Sequence, residues 1–451
     1  MLQASWFRVF SLMAIVAAPA VAEPPEYLAK TPPPRAAELT SRPWIEVIRD
    51  EVAPLKNDPS GQMPMIMWHG VGFQPLSDEH LEILRRRGLT QHLQLSDKMI
   101  PAAKRLQDAG MPVILMEGRT DSWPYSLADT FQQGKSDWAH DFDLTYSPPW
   151  FGTDDTTQWH GACPEQIAGW KVLAKQTRQT LESFRDAGVR VDAVWVDFEG
   201  DPYPWPQLHS QLRHCKRCRK SLPPNVIQDR EAWREYSWKK YVGLYDQFFA
   251  QTVLQVFPEA TVTNWHVVFS SKQNPVVYFA RDVTLPTLQP QFFNATNPIA
   301  YGTDVVWQQE WDRSQELTQK TVDDFYASRM LRQVKQDRTN RLAAEADDVV
   351  SVPWVARFCK LAGESDPPIP MMSRPRYREC LAEIWGDGIH SMQIFNAMHD
   401  GYEELALQEL QDAVAAYDRM LDSRRDQPGS DRKAFDPNGG AARTVDTETD
   451  M

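Results

Sequence analysis

A chain of 451 residues with 42% apolar side chains has enough material for one large domain or two ordinary ones, each with a sizeable core. A formal net charge of −13 excludes a nucleic-acid surface, which needs concentrated Lys and Arg. After the amino terminus no stretch approaches the roughly 20 apolar residues of a bilayer helix, so no membrane span is expected.

Read in order, the chain opens on Arg8, an apolar run from Phe10 to Ala18, the helix breaker Pro19 and the small residues Ala20-Val21-Ala22. This is the pattern of a signal peptide over residues 1–22, too short to span a bilayer, and it predicts a secreted or periplasmic protein. Residues 23–60 form a Pro-rich N-terminal segment with one helix-like piece near Ile45 to Val52.

From residue 61 strands and helices alternate. Met63–Trp68 is strand-like and ends in His69-Gly70, and Asp78–Arg87 is helical in pattern. Thr90–Leu95 is a short strand ending in Ser96-Asp97, and Met99–Ala109 is a helix stopped at Gly110. Pro112–Met116 is a strand ending in Glu117-Gly118-Arg119 and Asp121, before a long loop to about Gly161. An amphipathic helix over Cys163–Ala187 leads to the strand Val191–Val196, which ends in Asp197-Phe198-Glu199. The helix Trp233–Val256 precedes the strand Ala260–Thr263, which ends in Asn264-Trp265-His266. Pro298–Tyr301 ends in Gly302-Thr303-Asp304 and is followed by helical residues from Thr318 to Ala346. Val349–Val352 ends in Pro353-Trp354, Arg376–Trp385 is helical, and Ile389–Phe395 ends in Asn396. Glu403–Leu421 is the last helix, and residues 423–451 are polar, charged and Gly-rich, the composition of a disordered tail.

Eight strands, most followed by a helical stretch, predict an α/β protein: a (β/α)8 TIM barrel over residues 61–422 with long insertions at the C-terminal rim. The alternative is an open doubly wound sheet, but no Gly-x-Gly-x-x-Gly or phosphate loop supports a nucleotide-binding version. In a barrel the strand-end groups converge on one bowl. That bowl would hold Trp68, His69, Asp97, Glu117, Arg119, Asp121, Asp197, Glu199, Tyr203, Asn264, Trp265, His266, Tyr301, Asp304, Trp354, Gln393 and Asn396.

Two of these stand apart. Asp197 and Glu199 are at i and i+2, so on a strand they share a face, about 6.6 Å apart. Charge at the end of an apolar strand is costly unless substrate or catalysis uses it. The same tripeptide recurs as Asp446-Thr447-Glu448 in the polar tail, so the spacing alone decides nothing. Context does more: carboxylates, amides and indoles together suit a polyhydroxylated ligand, because hydroxyls take hydrogen bonds and a sugar's C–H face lies on an aromatic ring. For any single member the plainer role is a rim hydrogen bond or a packing contact. Cleaving a glycosidic bond needs an acid beside a second carboxylate, and neighbouring carboxylates push their pKa values apart. Across the cleft, Asp304, Asp97 and Glu117 are the other available partners for Glu199.

Val194-Trp195-Val196-Asp197-Phe198-Glu199 resembles the strand-4 Asp-x-Glu motif of hyaluronidases and, more loosely, of other barrels that cleave N-acetylhexosamines. The resemblance covers about ten residues. It implies that Glu199 is the general acid/base, that Asp197 orients a substrate 2-acetamido group acting as internal nucleophile, and that Tyr301 assists. The expected function is an exported glycoside hydrolase acting on a poly- or oligosaccharide; the alternative is a glycan-binding barrel without chemistry. Metal-assisted hydrolysis through His69, Asp97 and His266 lacks a ligand-like spacing, and no metal or cofactor is expected. Sugar, linkage and oligomeric state stay open.

Five cysteines in an exported chain allow disulfides. Cys359 and Cys380 bracket a Pro-rich loop and are positioned to staple it. Cys215 and Cys218 have a metal-like spacing without a second pair to complete a zinc set, so a disulfide within or involving this pair is expected, with one thiol left over. The signal-peptide reading predicts that N-terminal sequencing of the exported protein starts at Glu23; a start at Met1 refutes it.

Overall fold

The computed structural model describes residues 38–39, 41–59, 61–68, 76–117, 164–196, 213–264, 269, 271, 273, 290–303, 307, 310–346, 348–359, 370–395 and 403–425. Within them short apolar strands alternate with helices that each bury one face. The strands are β1 (Met65–Met67), β2 (Leu89–Gln91), β3 (Leu93–Gln94), β4 (Ile114–Glu117), β5 (Ala193–Val196), β6 (Thr261–Asn264), β7 (Ala295–Thr296), β8 (Ile299–Thr303), β9 (Val350–Ser351), β10 (Trp354–Cys359) and β11 (Gln393–Ile394). Around them lie α1 (Trp44–Glu51), α2 (Asp78–Arg85), α3 (Ile100–Asp108), α4 (Ile167–Asp186), α5 (Lys216–Ser221), α6 (Pro224–Gln228), α7 (Arg230–Tyr245), α8 (Gln251–Val256), α9 (Gln319–Ala343), α10 (Arg374–Gly386) and α11 (Glu403–Arg425).

Every ladder is parallel. They form a five-stranded sheet β2-β1-β11-β10-β8, a four-stranded sheet β3-β4-β5-β6 and the pair β7-β9. The ladders do not close into one continuous ring; the chain joins the pieces. It runs from β2 to β3 across His92, from β7 to β8 across Asn297-Pro298, and from β9 to β10 across Val352-Pro353. Pro298 and Pro353 carry no N–H, so the ladder is interrupted at each while the carbonyls still accept, from Trp354 N–H at 2.9 Å and Gln393 N–H at 2.9 Å. Merged in this way, the pieces are eight strands in the cyclic order of a (β/α)8 barrel.

The seam between β6 and β7 is held largely by side chains. Asn294 N–H donates to the Val262 carbonyl at 3.2 Å, and its side chain takes Val262 N–H at 2.6 Å while donating to the Ala260 carbonyl at 2.9 Å. Thr263 donates to the Ala295 carbonyl and lies 3.0 Å from Asn297 Oδ1. Asn297 in turn donates to the Val352 carbonyl. Among the described residues no helix follows β6. Asp337 of α9 is fully buried at this place, accepts from Phe269 N–H, Thr296 Oγ1 and Arg341 Nε, and has its carboxyl pushed up by that burial. Just upstream, Asp246 accepts three consecutive backbone N–H groups, from Gln291, Phe292 and Phe293, at 2.7–2.8 Å, and so fixes the approach to β7.

Strand alternation sorts the two faces. Leu115, Val194, Val196, Val262, Ala300 and Val355 join the helix-facing core. Ile66, Ile114, Ala193 and Val352 pack together on the inner face. Helix α4 meets the outer side with Trp170, Leu173, Leu181 and Phe184, at helical spacing. The helix-to-strand turns at Gly110 and Gly188 sit at φ +69° and +76°, the left-handed region that glycine enters without penalty.

Several expectations are revised. The seventh strand does not stop at Trp354 but runs on as β10 to Cys359. The helix expected over 233–256 contains a π-helical stretch, Asp246–Ala250, which places the Asp246 anchor. Residues 213–228, between the fourth strand and the next long helix, hold α5 and α6. Helix α1 belongs to the barrel body: Trp44, Ile45, Val47 and Ile48 enter the main core, and Gln411 of α11 donates to the Glu51 carbonyl. Helix α11 passes the expected boundary at 423 and ends at Arg425. No disulfide is formed among the described residues, and Cys380, expected to staple a loop, is a thiol. Cys380 faces inward from α10 beside Tyr377, Leu381 and Ile384, and burial pushes its thiol up to about 12. Cys215 and Cys218 pack with Leu222, Val226 and Trp233 in a separate apolar cluster. The signal-peptide segment and most of the tail lie outside the described residues, among which no helix is long and apolar enough to cross a membrane.

Removing the Asp246 carboxylate strands three N–H donors. Asp246→Ala is expected to lower unfolding stability by about 2–4 kcal/mol, with Asp246→Asn intermediate, read from urea denaturation midpoints.

Candidate functional site

The inner face changes character from its lower layer to the C-terminal end of the strands. Below are Ile66, Ile114, Ala193 and Val352. Above, β5 contributes Trp195, β10 Trp354, β8 Tyr301, β11 Gln393, and the residues beside β1, β2 and β11 contribute Trp68, His92 and Phe395. The rings form one cluster. Trp195 and Trp354 have centroids 4.5 Å apart, Trp68 and Trp354 5.1 Å, His92 and Trp195 5.0 Å, and Tyr301 stacks on Phe395 at 5.1 Å. Edge-to-face and offset pairs of this kind each add about 0.5–1.5 kcal/mol to the area they bury.

The cluster is layered by exposure. Trp354 and Trp195 are 0% and 1% exposed and form the floor, whereas Trp68 and Phe395 are partly exposed above them. The polar groups in this apolar setting are few and placed. His92 Nε2 lies 3.3 Å from Gln393 Oε1, and both side chains are buried. The indole N–H groups of Trp195 and Trp354 and the Thr90 hydroxyl find no hydrogen-bond partner among the described residues. A buried indole N–H usually has one. The floor therefore has unused capacity to donate hydrogen bonds to water or to ligand oxygens.

Of the residues expected in the bowl, the structure brings together Trp68, Tyr301, Trp354 and Gln393. Trp354 lies beneath the accessible surface, so it shapes the floor rather than forming an open plate. Two others are turned away. Glu117, Val196 and Asn264 are in register across β4, β5 and β6 and end the described strands. Val196 belongs to the helix-facing core, so alternation places Glu117 and Asn264 on that side, opposite Met116, Trp195 and Thr263. The expected convergence of every strand-end polar group fails here because one residue of register decides the face. Asp97 is exposed, in the first turn of the short 3-10 stretch Asp97–Met99. His69, Arg119, Asp121, Asp197, Glu199, Tyr203, Trp265, His266, Asp304 and Asn396 lie outside the described residues.

Sequence reading missed His92, Trp195, Phe395 and Thr90. Their signal was parity: counted from Ile66, Ala193 and Gln393, each falls on the inner face. Glu117 has a distinct electrostatic state. Apolar surroundings push its carboxyl up to about 7, and it makes no hydrogen bond or ion pair among the described residues.

No protein-family model matches this chain. No curated protein matches it in sequence. Among solved structures, a β-galactosidase from the Antarctic haloarchaeon Halorubrum lacusprofundi matches at 12% identity and a TM-score of 0.44, over 80% of this chain and 58% of that one. Bee venom hyaluronidase matches at 12% identity and a TM-score of 0.32, over 67% of this chain and 98% of that one. An endo-β-1,4-mannanase from Thermotoga petrophila matches at 10% identity and a TM-score of 0.30, over 74% and 75%. This chain thus spans less than two thirds of the length of the β-galactosidase. Identities this low leave the chemistry of the site to its own residues.

Glu117 yields a signed prediction. Its folded pKa of about 7 exceeds the ordinary 4.5, so its stabilising share is complete below pH 4.5 and is lost as the pH rises through 7. Glu117→Gln stays neutral, so its melting temperature relative to the parent should climb between about pH 5 and pH 8. A difference that does not change over that interval removes the buried-acid assignment.

Proposed function

We propose that this chain is an exported glycoside hydrolase acting on a poly- or oligosaccharide, with Glu199 as general acid/base and Asp197 as its helper. The observation that carries the reading is the layered inner face. Partly exposed Trp68 and Phe395 above a floor of Trp195 and Trp354, with Gln393, His92 and Tyr301 alongside, offer ring faces and a few placed polar groups, the pairing that sugars need. Positions 197 and 199 lie outside the described residues; by sequence count they share the parity of Ala193 and Trp195. β5 lies between β4 and β6 in its sheet.

In this reading Glu199 protonates the glycosidic oxygen as the bond breaks and then takes a proton from the attacking water. Asp197 orients a 2-acetamido group, with Tyr301 beside it, when the substrate carries one. The helix-facing side of Glu117 and the exposure of Asp97 count against both as the second carboxylate across the cleft, which leaves Asp197 and Asp304. The signal-like first 22 residues support export to the periplasm or beyond.

The test is a screen of chromogenic glycosides and polysaccharides with the parent protein and Glu199→Gln. The expected result is a loss of turnover of about 10²–10⁴-fold with an unchanged melting temperature. Undiminished turnover in the variant rejects the assignment. Saccharide binding without turnover in the parent favours a glycan-binding barrel instead.

A further inference from the structure

Helix α9 carries a polar stripe on its buried side: Arg329, Gln333, Asp337 and Asn340, at spacings of four, four and three. Three members are committed to backbone groups of Phe269 and the start of β8, directly by hydrogen bonds. Gln333 accepts Ile299 N–H at 3.2 Å, Asp337 accepts Phe269 N–H at 3.1 Å, and Asn340 donates to the Phe269 carbonyl at 2.7 Å. Arg329, the member nearest the start of the helix, differs. It is 4% exposed, yet neither Nη1 nor Nη2 finds a hydrogen-bond acceptor among the described residues. Among the described residues it pairs with Glu310, at 3.6 Å, too far to hydrogen-bond and shared with Arg332 at 3.7 Å. Two guanidinium charges therefore face one carboxylate, and burial depresses the Arg329 pKa to about 10.

A buried guanidinium short of both charge and acceptors is an incomplete arrangement. A planar carboxylate completes it, because two oxygens match the two outer nitrogens of the fork. Both Arg329 Nη atoms are buried behind Glu310, which is itself 25% exposed, with Arg332 at 43% beside it, so displacing the Glu310 side chain is what would open the fork. Next to Glu310 stand Trp307 and Trp311, both partly exposed and stacked on each other at 4.3 Å and 18°, with Phe325 edge-on to both. An aromatic plate beside a carboxylate fork fits an acid carried on a sugar ring: the carboxylate on Arg329, the C–H face on an indole.

We propose that Arg329, flanked by Arg332 and the Trp307–Trp311 stack, is a binding site for a carboxylate-bearing saccharide, separate from the inner aromatic floor and independent of the Glu199 assignment. Glu310 is the internal carboxylate that the ligand displaces.

The test is isothermal titration calorimetry of the mature full-length protein with glucuronate, glucose, acetate and sulfate. Glucuronate is expected to bind saturably, with acetate and sulfate at least about tenfold weaker and glucose silent over the same range. Arg329→Lys, which keeps the charge but not the fork, should lose about tenfold. Trp311→Ala should bring glucuronate down to the level of acetate, and Glu310→Gln should bind it more tightly because the competing carboxylate is gone. Glu199→Gln should leave this binding unchanged, which separates the site from the catalytic reading. The proposal is overturned if glucuronate gives no saturable heat, if Arg329→Lys binds as the parent does, or if Glu310→Gln binds more weakly. Should Arg329→Lys fail to fold, the Glu310 and Trp311 variants, at more exposed positions, still decide.

Discussion

The barrel depends on how its weakest joint is closed. A parallel sheet needs every backbone N–H and C=O paired, and between β6 and β7 the regular ladder is missing. Side chains replace it. Asn294 pairs with both sides of Val262, Thr263 and Asn297 link β6 to β7 and β9, and Asp337 reaches in from α9. Asp246, upstream, fixes the segment that enters β7. Each of these polar groups is buried or nearly so, and each is satisfied, which is the condition under which burial is tolerated. Without them the β6 edge would be open, and the inner face would have no opposite wall.

The facing of the two larger sheets gives the aromatic layer its geometry. Trp195 comes from the four-stranded sheet and Trp354 from the five-stranded sheet, yet their rings lie 4.5 Å apart. They meet because the two sheets face each other across the interior. Such packing holds the side chains to one arrangement, so the partly exposed Trp68 and Phe395 rest on a rigid base. Rigidity of that kind is what a binding surface needs to fix a ligand without a further entropic cost. Strand alternation sets Glu117, one residue past inward-facing Met116, on the helix-facing side, where it is desolvated.

Much of this was legible in the sequence. The eight strands were found by apolar runs and the helices by their period, since those patterns follow from burying one face of a strand or helix. Gly110 and Gly188 marked turns for the same local reason. Three kinds of feature were not legible. The extension of β10 past Pro353-Trp354 was hidden, because a proline predicts a stop when the strand's other side is unknown. The short helices at 216–228 lie in a basic, Cys-containing stretch with no clear period. The burial of Cys380 as a thiol in the core was hidden too, because its spacing from Cys359 carries no information on which way its side chain faces.

The candidate site divides along the same line. Composition and strand-end chemistry were enough to name Trp68, Tyr301, Trp354 and Gln393, and to single out the Asp197–Glu199 pair. They were not enough to tell floor from rim, or inner face from outer. The sequence by itself determined which segments become strands and helices, because local periodicity and turn residues are properties of neighbours along the chain. Only the tertiary structure decided that Glu117 and Asn264 face the helices, that two tryptophans from different sheets share one floor, and that Arg329 is buried with its hydrogen bonds unmade. Those outcomes depend on register and ring closure, which are contacts between residues far apart in sequence.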